Sequence, residues 1–239
     1  MNRYPVSVVD NFLKDPQLVE NLARMVEYEL PKSHAPGTTS VKYINDLDPN
    51  LYQWITEKIL GMWWDMRFNN LHWRCSVDFH KIPPLSDKEL NSGLIHKDLA
   101  EIGNEFTPVE LAGIIYLSKG SAENTGTSIF QEKTENRYGL LYNPYKEVAE
   151  TIKDYNRESK DPVKFKSILH KHNAQFDEVI RVQNRYNRLF MYPANMWHGV
   201  TSYGEPGDQD RYTLRFFFHN IYDPQTHYPL ERKDYQPNG

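Results

Sequence analysis

His96-Lys97-Asp98 sets an imidazole and a carboxylate two residues apart, and a second imidazole, His198, follows much later in Met196-Trp197-His198-Gly199-Val200. Two imidazoles and one carboxylate form a three-ligand set that leaves other metal positions open, the donor pattern of non-haem Fe(II) oxygen chemistry. On an extended segment, residues two apart point the same way, so His96 and Asp98 can reach one ion together. The third ligand has to come from elsewhere in the fold. With nine histidines in the chain, a His-x-Asp pair alone is a weak signal, and its weight depends on what accompanies it.

The accompaniment is Arg211-Tyr212-Thr213-Leu214-Arg215. On a strand, Arg211 and Thr213 share one face, while Tyr212, Leu214, Phe216 and Phe218 take the other. A cationic, hydroxyl-bearing face beside a metal site suits a dicarboxylate, because arginine grips a carboxylate through two parallel hydrogen bonds. Arg215 shares that face, so either arginine is a candidate. The plainer reading is a surface arginine paired with Asp208 or Asp210.

These residues need a framework to position them. Asp15-Pro16 and Asp48-Pro49 each read as a helix N-cap followed by proline at the first helical position. Leu18, Leu22 and Val26, widened by Val19 and Ala23, then Leu51, Ile55, Ile59 and Met62 beside Trp54, recur at helical spacing. The first 70 residues are therefore expected to be mostly helical, with Trp63 and Trp64 packing the helices on a sheet. From Trp73 the period changes to two: Trp73, Cys75, Val77 and Phe79 alternate with Arg74, Ser76, Asp78 and His80. This predicts a half-buried strand ended by Pro83-Pro84, with His80 solvated. Leu111–Leu117, Thr127–Phe130, Leu189–Tyr192 and Tyr212–His219 read as further strands. Residues 131–186 are charged, with helical patterns over 145–155 and 163–172, and predict a helical insert and possible lid. The tail, 223–239, is polar. Short strands after a helical start predict a mostly β, α+β fold, an antiparallel sandwich or jelly roll carrying flanking helices, with the ligands in one mouth. One domain over 1–239 is expected, its sheet core spanning about 73–220.

Bulk composition excludes some classes. The 239 residues carry a formal net charge of −4, which gives no field for nucleic acid or a membrane surface. Hydrophobic content is 39%, offset by 13% aromatics that include 16 tyrosines, and aromatic bulk fills a core where aliphatic residues are few. The single cysteine, Cys75, excludes an intrachain disulfide and a multi-thiolate site. With no signal-peptide pattern and no transmembrane stretch, a cytoplasmic protein is expected. Oligomeric state is not readable from the chain.

The chain resembles the Fe(II)/2-oxoglutarate-dependent dioxygenases, particularly their prolyl-4-hydroxylase-like branch. The resemblance is carried, in the family's order, by Ile95-His96-Lys97-Asp98, Ala112-Gly113-Ile114-Ile115-Tyr116-Leu117, Gly126-Thr127-Ser128-Ile129-Phe130, Asn187-Arg188-Leu189-Phe190-Met191-Tyr192, Trp197-His198-Gly199-Val200 and Arg211-Tyr212-Thr213-Leu214. It covers roughly residues 73 to 220, the insert poorly. It implies a double-stranded β-helix in which His96, Asp98 and His198 hold Fe(II). It also implies that Arg211 binds the distal carboxylate of 2-oxoglutarate, with Thr213 and Tyr116 assisting, and that O2 takes the remaining position. Succinate and CO2 would leave, and a C–H bond of a small molecule or protein side chain would be hydroxylated. The long separation of Asp98 from His198 departs from compact members, as does the extra loop Gly204–Asp208 before Arg211.

Two other functions fit parts of the pattern. A cupin-like enzyme would use another divalent metal without a keto acid. A non-catalytic jelly-roll binding module would keep the fold but lose the ligands. His170-Lys171-His172 also has metal-like spacing, but on a helix residues two apart diverge, so it reads as a decoy.

Overall fold

The computed structural model describes residues 6–31, 37–64, 71–84, 93–102, 105–133 and 162–222. The helix expected over 145–155 and the polar tail 223–239 lie outside them. The elements in chain order are β1 (Ser7–Val9), α1 (Pro16–Met25), β2 (Tyr28–Glu29), β3 (Thr38–Ser40), α2 (Ile44–Leu47), α3 (Pro49–Leu60), β4 (His72–Ile82), β5 (Leu99–Ile102), β6 (Glu105–Tyr116), β7 (Thr127–Glu132), α4 (Pro162–Asn173), β8 (Phe176–Val182), β9 (Leu189–Pro193), β10 (Trp197–Val200) and β11 (Arg211–Tyr222). The fold is mostly β: an antiparallel double-stranded β-helix with helices on its outer face. No helix among the described residues is long and apolar enough to cross a membrane.

Both helix starts form where the Asp-Pro pairs predict them. Asp15 accepts from the Leu18 amide and Asp48 from the Leu51 amide, each at 3.0 Å, caps worth about 1 kcal/mol apiece. The buried stripe of α1 runs one residue out of phase with the expected one. Val19 and Ala23 are buried and Leu22 and Val26 pack beside them, while Leu18 is exposed. In α3, Ile55 and Ile59 are buried as expected, but the helix ends at Leu60 and Met62 lies beyond it, partly exposed.

The N-terminal part is less helical than its patterning suggests. It also supplies three short strands to the larger sheet, whose order is β1-β9-β6-β11-β4-β3-β2, with β5 pairing β6. Strands of two or three residues are too short to display a period. The smaller sheet runs β10-β7-β8, all antiparallel. β8 falls inside the segment 131–186, and β7 extends to Glu132. The connection between the paired strands β7 and β8 is thus shorter than the expected insert, and α4 is its described helix.

The larger sheet has two faces with different work. Val77, Phe79, Leu111, Ile115, Leu189, Met191, Tyr212, Leu214, Phe216 and Phe218 meet Val19, Ala23, Ile55, Ile59 and Trp64 in the main core beneath the helices. The opposite face meets the smaller sheet: Ala112, Tyr116, Phe190 and Tyr192 pack with Ile129 and Val182. β4 presents Asp78 and His80 to this interior, both under 10% exposed. The expectation of a solvated His80 is therefore corrected, because the polar face of β4 is turned to the buried side of the sheet rather than to water.

Asn187 ties the N-terminal chain to this framework. It sits at φ 61°, in the left-handed region. Its side-chain Oδ1 accepts from the Leu13 amide at 2.8 Å and its Nδ2 donates to the Leu13 carbonyl at 3.0 Å. Asn187→Ala removes two buried hydrogen bonds and places a Cβ-only residue in a conformation that asparagine tolerates better. Its expected cost is about 2–4 kcal/mol, read as a drop in the urea unfolding midpoint.

Candidate active site

The segment Gly93–Asp98 joins the edge of the smaller sheet beside β10. The His96 amide donates to the His198 carbonyl and the His198 amide to the His96 carbonyl, each at 2.8 Å. This reciprocal bridge makes the two histidines direct cross-strand partners, so their rings project to one side. The ring centroids are 4.3 Å apart. Asp98, two residues on, shares that side, and its amide is bonded to the Ala194 carbonyl at 3.0 Å. Close approach of the two backbones needs small residues. A Cβ on Gly93 would meet the Val200 nitrogen at 2.9 Å, and one on Gly199 the Leu94 carbonyl oxygen at 3.0 Å.

The donor atoms converge. One ligand atom from each of His96, Asp98 and His198 lies within 4.8 Å of the others. His96 Nε2 is 3.7 Å from Asp98 Oδ1, and His198 Nε2 is 3.3 Å from Asp98 Oδ2. Ligands about 2 Å from one ion at right angles lie about 3 Å apart, so this separation fits a shared metal ion. The tautomers are arranged from behind. His96 Nδ1 donates to the Leu94 carbonyl at 2.9 Å and His198 Nδ1 to the Met196 carbonyl at 3.0 Å. In the neutral rings each Nε2 therefore turns a bare lone pair toward Asp98, an outer-shell arrangement typical of metal-binding histidine. Asp98 Oδ2 is buried and receives no hydrogen bond. Three lone-pair donors facing one point call for a cation.

Without a metal, that cation is a proton. Burial works against charge on His198, but the Asp98 carboxylate outweighs it and raises the imidazole pKa. Burial likewise opposes ionisation of Asp98, and His198 followed by His96 overcomes it, holding the carboxyl below its ordinary value. Tyr192 stacks on His198 with centroids 4.5 Å apart, closing one side.

Further along the interior face lie Arg211, Thr213 and Tyr116. Thr213 pairs across the ladder with Tyr116 on one side and His80 on the other, so all three project inward. Arg211 is 6% exposed and Thr213 1%. Arg211 Nη1 donates to the Thr125 carbonyl, while its Nε is buried without a partner. Among the described residues no carboxylate pairs with it. Asp210 pairs instead with Lys81 at 3.0 Å. Burial lowers the Arg211 pKa, against the pull of Tyr116 and Tyr203. Tyr116 donates to Thr127 Oγ1 at 3.1 Å, and burial raises its phenol pKa. Arg215 is differently placed: its Nε and Nη2 hold the two oxygens of Asp78, both at 2.9 Å, and Nη2 also reaches Thr39 Oγ1 at 3.0 Å. Its fork is closed, and that of Arg211 is open on its Nε edge.

The six predicted site residues thus fall into two groups, His96, Asp98 and His198 together beside β10 and Arg211, Thr213 and Tyr116 on the facing sheet. Two residues at the end of α4 meet the Gly93–Asp98 segment: His172, which the sequence shows only as half of a metal-like decoy pair, and Asn173, which it does not single out. His172 is 3% exposed and donates from Nε2 to the Ile95 carbonyl at 2.7 Å, and Asn173 bonds the same segment. Leu169, His172, Asn173 and Phe176 stand at helical spacing, a signal that was available.

Known structures share this architecture. The chain is similar to the non-haem α-ketoglutarate-dependent carbocyclase SnoK of nogalamycin biosynthesis, at 13% identity and TM-score 0.50, covering 90% of this chain and 79% of that one. Also similar are HygX from Streptomyces hygroscopicus, whose structure holds nickel and 2-oxoglutarate (10% identity, TM-score 0.49, 90% and 83% covered), and a Pseudomonas putida prolyl-4-hydroxylase (14%, 0.46, 90% and 92%). At such identity the likeness to SnoK shows the jelly-roll fold and nothing finer. No curated protein matches the chain by sequence. Residues 1–205 match the model of DUF6445, a family of unknown function, and the chain belongs to that family.

Proposed function

We propose that this protein is an Fe(II)- and 2-oxoglutarate-dependent oxygenase that hydroxylates a C–H bond of a small molecule or protein side chain. The observation that carries the reading is the convergence of two Nε2 lone pairs and an unbonded, buried carboxylate oxygen on one point. In this reading His96, Asp98 and His198 hold the iron, which supplies activation of O2 coupled to decarboxylation of the keto acid.

The protein's own residues do the rest. A buried guanidinium without a carboxylate is costly, and a dianionic co-substrate supplies the charge that Arg211 lacks. Its unpartnered Nε would bind the distal carboxylate, with the Thr213 hydroxyl beside it and Tyr116 lining the wall. Arg215 is bound to Asp78 and so is not free for that part. Tyr192, packed on His198, keeps water from one flank of the donor set. The apolar layer of Ala112, Phe190 and Ile129 keeps that end of the interior dry.

Added together under anaerobic conditions, Fe(II) and 2-oxoglutarate are expected to produce a weak visible charge-transfer band. Asp98→Ala is expected to abolish it. Arg211→Lys, which loses the fork, is expected to raise the 2-oxoglutarate half-saturation about 10- to 100-fold, the value of one or two charge-assisted hydrogen bonds. Bound iron with no band on adding the keto acid would sink the co-substrate assignment, and a panel assay for succinate release identifies the substrate.

The metal-free protein carries a second signature. His198, raised above its ordinary 6.5, contributes stability below that value that fades as pH rises through its folded pKa. Asp98, lowered below its ordinary 3.8, contributes stability above that value that is lost as pH falls through its folded pKa. In chelator, the stability difference between the native chain and Asp98→Asn is therefore expected to be greatest between 3.8 and 6.5 and to shrink on either side. Binding of a divalent ion has the opposite upper limb, tightening as the proton on His198 is given up. Urea midpoints and metal titrations across pH test both limbs.

A further inference from the structure

The ligand-bearing segment Gly93–Asp98 has two edges. One pairs with β10 through the Gly93 amide to the Val200 carbonyl at 3.0 Å and the reciprocal bridge at His96. Among the described residues no strand lies beside the other edge. Its polar groups are met instead by two consecutive side chains at the end of α4. Asn173 Nδ2 donates to the Gly93 carbonyl at 2.9 Å, and its Oδ1 accepts from the Ile95 amide at 3.2 Å. His172 Nε2 donates to the Ile95 carbonyl at 2.7 Å. Together they reproduce, with side chains, the donor and acceptor sequence that a neighbouring strand would present.

The back of the segment is braced as well. Lys97, between the two ligands, points away from them and lies 4.7 Å from the Trp197 ring centroid. Trp197 precedes His198 and packs on Phe176 at 4.7 Å between centroids, and Phe176 packs on His172 at 5.2 Å. One continuous cluster thus joins the end of α4 to both ligand-bearing segments on the side opposite the donors.

We infer that His172 and Asn173 are positioning residues for the metal centre, holding the Gly93–Asp98 segment in the register that brings His96 and Asp98 onto His198. The inference rests on the oxygenase reading of the site. Both residues act through the Gly93 and Ile95 backbone, and outer-shell contacts of this kind govern metal affinity without supplying a ligand.

The test pairs a measurement without metal with one that needs it. In chelator-treated Asn173→Ala, hydrogen–deuterium exchange over residues 93–98 is expected to rise about tenfold or more, with β4 and β11 unchanged. Co(II) affinity of the same variant is expected to fall about 10- to 100-fold. His172→Leu is expected to behave likewise, and His172→Gln, which retains a donor for the Ile95 carbonyl, to recover most of the native affinity. Unchanged exchange in both Asn173→Ala and His172→Leu overturns the clamp. Faster exchange with native Co(II) affinity overturns the positioning role. A native chain that fails to bind Co(II) instead overturns the oxygenase reading, and the exchange arm then still decides whether the clamp exists.

Discussion

The reciprocal backbone bridge between His96 and His198 is the constraint on which the site depends. Cross-strand partners in an antiparallel pair project to the same face, so forming those two hydrogen bonds places both imidazoles together before any side-chain contact is made. The strand period then brings Asp98 to the same side. Each histidine turns its Nδ1 proton to a carbonyl two residues earlier, which leaves Nε2 bare and aimed at the carboxylate. The absence of side chains at Gly93 and Gly199, the braces from α4 and the stacked Lys97 and Trp197 all serve one geometric requirement. A shift of one residue in that bridge would turn His96 and Asp98 away from His198.

The interior of the sandwich mixes apolar and polar groups. Val109, Ala112, Phe190 and Val182 belong to its apolar cluster. Asp78, His80, Arg211 and Thr213 are buried polar groups of the larger sheet, and the three donors converge beside β10. Two arginines on one strand illustrate how differently a fold can treat the same residue. Arg215 is neutralised by a bidentate carboxylate, which gives it a fixed place in the wall. Arg211 has a carbonyl and nearby phenols, but no counter-charge among the described residues. A charge left incomplete inside a protein destabilises the free chain, and its retention is the expected mark of a site finished by a ligand.

Local signals in the chain carried much of this. The two Asp-Pro helix starts, the alternation along β4 and β11, and the His-x-Asp pair are each set by interactions within a few residues, and each appears in the structure. The misreadings share a cause in tertiary context. His80 stands on a polar face that looks solvated in the sequence but is buried in the fold. Leu18 is apolar at helical spacing from Leu22, yet Val19 and Ala23 set the phase because the sheet approaches from their side. β1 exists through pairing with β9, β3 through pairing with β4 and β2 through pairing with β3, rather than through propensity. The spacing of His170 and His172 reads as a metal-binding decoy because helical residues two apart diverge, and among the described residues the structure does not bring them into a metal-capable group. That geometry holds, with His170 exposed and His172 buried, but the partner of His172 is a carbonyl more than seventy residues away rather than a metal.

A jelly roll that gives part of its interior to polar and charged groups has to find its stability elsewhere. The larger sheet does so on its opposite face. Alternate residues of β11 that point away from the site, Tyr212, Leu214, Phe216 and Phe218, are all buried against the helices. Each such side chain contributes on the order of 1.5–3 kcal/mol by leaving water. The period of two therefore does double duty along a single strand: odd-numbered positions 211–215 present the cationic wall of the site, and even-numbered positions 212–218 anchor that wall to the core. The helices of the N-terminal part contribute no group to the site. Their part is to cover the outer face of the sheet, so that its inner face is free to carry chemistry.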